Sequence, residues 1–104
     1  MMLAYLKLKE KRRFRRVGIH RDVVLSTAGE ERFKVKLIDI SRGGIKFLYY
    51  RDRIRIEQGI RLNNRYFEVM LLSKDLDHRI IRIMFRNVMT RAQFRDLVEQ
   101  LRKA

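Results

Sequence analysis

The feature that most constrains this chain is an alternation of apolar and polar residues with a period of two. Phe33, Val35 and Leu37 alternate with Lys34 and Lys36, as they do in a strand with one face on a core and the other in water. Upstream, Val17, Ile19, Val23 and Leu25 stand opposite His20, Asp22 and Ser26 in the same rhythm. Thr27-Ala28-Gly29-Glu30 supplies turn residues between the two runs, which predicts a hairpin. Its second strand ends in adjacent aliphatics around Asp39 and in a turn, Ser41-Arg42-Gly43-Gly44.

Four more β-branched or aromatic segments follow: Ile45 to Tyr50, Arg53 to Glu57, Tyr66 to Leu72 and Ile80 to Phe85. Gly59, Asn63-Asn64 and the stretch from Ser73 to His78 separate them. Short strands at this spacing predict a barrel or sandwich. The C-terminal end changes period. Thr90 and Gln93 form a capping-box pair, and Phe94, Leu97, Val98 and Leu101 recur at helical spacing with charges between them. One amphipathic helix should close the domain by packing on the β-structure, with dimer formation as the alternative use of its stripe.

A length of 104 residues fits one compact domain, and a composition 46% apolar and 37% charged provides a core inside a charged surface. The formal net charge is +14, from 26 Lys+Arg against 12 Asp+Glu, which attracts polyanions, phosphorylated ligands or an anionic membrane face. Arginine outnumbers lysine, which favours planar two-pronged recognition of phosphates and guanine edges. With no cysteine, disulfides, thiolate metal sites and cysteine nucleophiles are excluded.

The opening Met1-Met2-Leu3-Ala4-Tyr5-Leu6 meets charge too soon for a signal peptide, and no later run approaches membrane-spanning length. A soluble cytoplasmic protein is the expectation, not an integral membrane one. His20 and His78 stand apart from any metal-ligand or nucleophile spacing, and Asp75 and Asp77 fall in a turn between strands. Neither a catalytic residue nor a metal site is predicted, so the chain is not read as an enzyme.

Two short motifs carry chemistry. Arg12-Arg13-Phe14-Arg15-Arg16 contains an Arg-x-x-x-Arg spacing within a basic arm that starts at Lys11. Asp39-Ile40-Ser41-Arg42-Gly43-Gly44 contains Asp-x-Ser-x-x-Gly at a strand end. Either alone is unspecific, because an arginine-rich chain produces the first by chance and ordinary strand-to-turn junctions produce the second. Their order is more informative: the basic arm comes first, a hairpin's length of alternating sequence follows, and the second motif ends that hairpin.

This layout resembles the PilZ domain family across nearly the whole chain, with residues 1–10 as a tail or linker and 11–104 as the domain. Gly59 before Ile60-Arg61-Leu62, the Ile80 to Phe85 strand and the terminal helix fall where that family has a turn, a barrel strand and a helix. The resemblance implies a six-stranded antiparallel β-barrel with a C-terminal α-helix. It also implies binding of cyclic di-GMP, a bacterial second messenger, without a cofactor, and a report to a downstream effector protein or an attached domain.

Under that resemblance Arg12 and Arg16 would meet phosphate or guanine N7 and O6 with paired donors and stack on a purine face. Asp39 would accept the N–H groups of a guanine Watson–Crick edge. Ser41 would hydrogen-bond base or phosphate. Gly44, with Gly43 sharing the duty, would allow a positive φ and a close backbone approach. Lys11, just before the first motif arginine, is compatible with an intercalated ligand pair, and Arg13 would contact a second ligand molecule or stay in solvent. The arm is expected to order over the ligand. One departure from the family pattern is Arg15, where a proline often stands.

Two other classes of function fit the same residues. A basic barrel could bind RNA or DNA through scattered arginines such as Arg53, Arg55, Arg61 and Arg82. A PilZ-like module with a degenerate pocket could instead dock a protein partner.

Overall fold

The computed structural model describes residues 14–29, 31–51 and 53–103. Six strands, β1 (Val17–Thr27), β2 (Arg32–Ser41), β3 (Gly44–Tyr49), β4 (Gly59–Leu62), β5 (Arg65–Asp75) and β6 (Ile80–Phe85), precede one helix, α1 (Arg91–Lys103). The strands close into a barrel in the order β1-β2-β3-β6-β5-β4, and every pairing is antiparallel. The predicted barrel with a C-terminal helix is the architecture found.

The period of two places the core. Leu25, Phe33, Val35, Leu37, Ile45, Phe47, Ile60, Leu62, Phe67, Ile81, Ile83 and Phe85 all point inward and are buried, while the charged residues between them face water. Phe67 and Phe85 stack with ring centroids 4.1 Å apart. The hairpin β1–β2 closes where Thr27 accepts the Glu31 N–H on its Oγ1 at 3.2 Å. Asn63 and Asn64 both take positive φ, 48° and 65°, the backbone that a two-residue connection between β4 and β5 requires.

One expected strand is absent. Arg53 to Glu57 alternates in sequence, but it runs as irregular chain, with Ile54 buried against the core and its carbonyl accepting the Lys74 ammonium at 2.9 Å. The strand that closes the barrel is Gly59–Leu62, where Gly59 was expected to make a turn. Gly59 lies under the Tyr66 ring, whose hydroxyl would be 2.2 Å from any added Cβ. The glycine therefore serves cross-strand packing, a contact that local turn chemistry does not reveal.

Three irregularities in register break the simple alternation. Gly18 pairs with Asp39 and Arg21 with Leu37, so β1 carries an extra residue near His20, whose φ is 54°. On β2, Leu37 pairs with Phe47 and Asp39 with Lys46, leaving Ile38 as the inserted residue. On β5, Val69 pairs with Phe85 and Leu71 with Met84, leaving Met70 over. The bulges on β2 and β5 reverse which side of the strand faces the core, whereas on β1 Ile19 and Leu25 keep the same inward parity.

The helix begins as its sequence dictates. The Thr90 backbone N–H donates to Gln93 Oε1 at 3.0 Å, and the Gln93 N–H donates back to Thr90 Oγ1 at 3.1 Å. Leu97, Val98 and Leu101 are buried and Phe94 half-buried, and the helix packs along β1. Among the described residues no helix is long and apolar enough to cross a membrane.

Candidate functional site

The site is created by the β2 bulge. Asp39 shares odd parity with Phe33, Val35 and Leu37, so an uninterrupted strand would aim its carboxylate into the barrel. Insertion of Ile38 turns Ile40 inward, where it is fully buried, and brings Asp39 to the outer face. There the Arg16 Nη1 donates to Asp39 Oδ1 at 2.8 Å. The aspartate side chain is 18% exposed and the arginine 46%, so the pair sits at the rim of solvent.

Ser41 follows on the same strand and is 3% exposed. Its Oγ accepts the Gly43 N–H at 3.2 Å and reaches the Gly44 carbonyl at 3.5 Å, which braces the turn from inside. The turn is held to the far end of β6 as well. The Phe85 N–H donates to the Gly43 carbonyl at 2.8 Å, and the Met89 N–H donates to the Arg42 carbonyl at 2.9 Å.

No described glycine has a positive φ, so the conformational reason expected for Gly43 and Gly44 does not apply. The close approach does apply at Gly44. A Cβ there would stand 2.3 Å from the Ile83 carbonyl oxygen on β6. Without that Cβ, the backbones of β3 and β6 form the floor of a cleft of about 310 Å³ lined by Arg16, Ser41, Gly43, Gly44, Arg82 and Met84, with Leu71 to Ser73 on its far wall.

The described end of the arm, Phe14 to Arg16, lies beside this cleft. Arg42 stacks its guanidinium 4.8 Å from the Phe14 ring centroid, and its Nε donates to the Met89 carbonyl at 2.8 Å. Phe14 and Arg16 are thus held on the turn by two separate cationic contacts. Arg16 also borders a second groove, between the start of β1 and Phe94, Arg95, Val98 and Arg102 of α1.

Of the residues singled out in sequence, Arg16, Asp39, Ser41, Gly43 and Gly44 converge on one end of the barrel. Lys11, Arg12 and Arg13 lie outside the described residues. Sequence reasoning missed Arg42 and Phe14 as partners, although an aromatic inside a basic run was a visible signal. It also missed the wall from β5 and β6, which reaches the site only through non-local strand pairing.

The titratable groups away from the cleft are engaged locally. Asp75 accepts His78 Nδ1 at 2.9 Å and the His78 N–H at 3.2 Å, and these bonds hold its carboxyl below the ordinary carboxylate value. The Tyr50 hydroxyl donates to Asp22 at 2.7 Å, which raises the phenol above its ordinary value. Among the described residues no cluster of His, Asp or Glu could hold a metal ion.

Comparison with known proteins follows the same lines. The chain is similar in structure to the PilZ domain with c-di-GMP of YcgR from Escherichia coli, with a TM-score of 0.53 and 20% identity, covering 89% of this chain and 92% of that one. YcgR of Escherichia coli in complex with c-di-GMP is also similar, at a TM-score of 0.49 and 19% identity, over 88% of this chain and 44% of that one. No curated protein matches in sequence. The sequence profile of the PilZ domain matches residues 10–102. With that match over nearly its whole length, and with a closed barrel whose arm and turn meet at one cleft, this chain belongs to the PilZ domain family.

Proposed function

We propose that this chain is a non-enzymatic receptor domain for cyclic di-GMP, formed by residues 11–104 with 1–10 as a tail or linker. One observation carries the reading. Arg16 and Asp39 meet at 2.8 Å beside a cleft that Arg16, Ser41 and Gly44 line together, so both motifs border one ligand-sized space. The similar domain of YcgR, solved with c-di-GMP, supports the choice of ligand.

The chemistry is an exchange of partners. A rim-exposed ion pair contributes about 0–1 kcal/mol, so little is lost when Arg16 leaves Asp39. The freed guanidinium takes phosphate oxygens or guanine N7 and O6 with two parallel donors. The freed carboxylate accepts guanine N–H groups, a bond of the charge-assisted kind. Arg12, with Lys11 and Arg13 beside it, closes from the arm. Ser41 fixes the turn, and its hydroxyl adds a bond to base or phosphate. Because Arg16 also borders the groove against α1, its movement is passed to the helix and from there to an effector protein or attached domain.

Isothermal calorimetry of purified protein with cyclic di-GMP tests this. Saturable binding is expected, with at least about tenfold weaker affinity in Asp39→Ala and Arg16→Ala. Absence of heat at tens of micromolar ligand would refute the receptor. The net charge of +14 favours one rival, RNA binding through scattered arginines. In that case affinity falls steeply with salt and responds to Arg53→Ala, Arg55→Ala or Arg61→Ala as much as to Arg16→Ala.

A further inference from the structure

Strand register carries Asp39 into a row of side chains that crosses the outside of the barrel. Asp39 pairs with Lys46 on β3, Lys46 with Arg82 on β6, and Arg82 with Ser73 on β5. Their neighbours in sequence, Ile45, Phe47, Ile81 and Ile83, point inward and are buried at no more than 1% exposure. The row therefore faces out. Adjacent strands are about 4.8 Å apart, which sets Arg82 about 10 Å from Asp39 across two strand spacings.

Lys46 and Arg82 stand directly opposite each other, an arrangement of like charges that destabilises a sheet. Among the described residues neither has an ion pair or a hydrogen-bonding partner for its charged head. Some other surface cations are paired, Arg16 with Asp39, Lys34 with Asp22, Arg51 with Glu31 and Arg86 with Glu68, so what sets Lys46 and Arg82 apart is that they face each other. Arg82 moreover lines the same cleft as Arg16, Ser41 and Gly44, next to Ser73 and to the exposed Leu71. Arg82 at the cleft, with Lys46 facing it from β3 outside the lining, presents two adjacent cations that suit an anion bringing two or more oxygens.

We propose that Lys46 and Arg82 form a phosphodiester subsite, distinct from the Arg16 arm, that holds the second phosphate of a cyclic dinucleotide whose base is read at Asp39. The proposal rests on the cyclic di-GMP reading above. A nucleotide carries its Watson–Crick edge and its phosphate at opposite ends, so Arg82, two strands from the base-reading carboxylate, meets the phosphate end, with Lys46 on the strand between them. The arm and the sheet face then hold one phosphate each, and binding relieves the Lys46–Arg82 repulsion. Leu71 and Met84 offer an apolar wall to the sugar or purine face.

The test is calorimetry with cyclic di-GMP on the wild type, Arg82→Gln, Lys46→Gln and Arg61→Gln. Arg61 lies on β4 and lines a separate groove with Arg32 and Tyr66, so it controls for loss of bulk positive charge. Arg82→Gln and Lys46→Gln are expected to weaken binding about tenfold each, with Arg61→Gln near wild type. Circular dichroism checks that each variant folds, and either of the two site variants suffices. Wild-type affinity in both, or a loss no greater than in Arg61→Gln, overturns the subsite while leaving the receptor standing. Absence of binding by the wild type overturns both.

Discussion

At the scale of single residues, the proposed function separates groups that would touch ligand from groups that shape the cleft. Asp39 and Arg16 are partners at the solvent rim, so Asp39→Ala should abolish most ligand affinity yet change unfolding free energy by no more than about 1 kcal/mol. Chemical denaturation beside calorimetry distinguishes the two effects. Gly44 behaves in the opposite way. Gly44→Ala forces a Cβ into the Ile83 carbonyl, so a loss of about 1–3 kcal/mol is expected from a denaturant midpoint shift, along with a distorted cleft floor. The sequence marked both residues through the Asp-x-Ser-x-x-Gly spacing, but it assigned Gly44 a backbone conformation that the chain does not use. The actual cause is a non-local contact with β6, and no local pattern encodes that. Arg82 was hidden for the same reason, since it reads as one exposed cation among many until register sets it opposite Lys46.

At the scale of elements, alternation was legible even in strands interrupted by a single bulge. The β1–β2 hairpin, β3, β5, β6 and the capped helix could be read from their periods, while β4 and the irregular Arg53 to Glu57 segment exchanged roles. Burial of one face produces alternation whether or not a ladder partner is present, which is why Ile54 and Ile56 gave a strand-like signal. The reciprocal Thr90 and Gln93 bonds lead to a prediction: Thr90→Ala should cost about 1 kcal/mol of stability, read from urea unfolding, and leave ligand affinity unaltered. The β5–β6 turn has its own pH signature. Asp75 titrates below its ordinary value because His78 hydrogen-bonds the charged form, so its contribution is present above the unfolded carboxylate pKa and disappears as pH falls through the lower folded value. Carboxyl NMR titration should find Asp75 low in the wild type and nearer the ordinary value in His78→Ala.

For the molecule as a whole, a charge of +14 on a barrel with a radius of gyration of 13.1 Å implies self-repulsion that salt relieves. The melting temperature should rise with sodium chloride as the Debye length shrinks from about 30 Å to about 10 Å, which differential scanning fluorimetry can follow. A fall instead would mean that the surface ion pairs outweigh the net field. The bulge at Ile38 has a further consequence, for how such domains can be recognised. It acts as a phase shifter, so the first part of β2 answers to the packing of the barrel and the last part to chemistry outside it. A chain with the same two motifs on an unbroken β2 would bury its aspartate and be deaf to the ligand. Under the proposed function, motif spacing alone does not make a receptor, and the parity between the last inward residue and the aspartate is expected to decide as well.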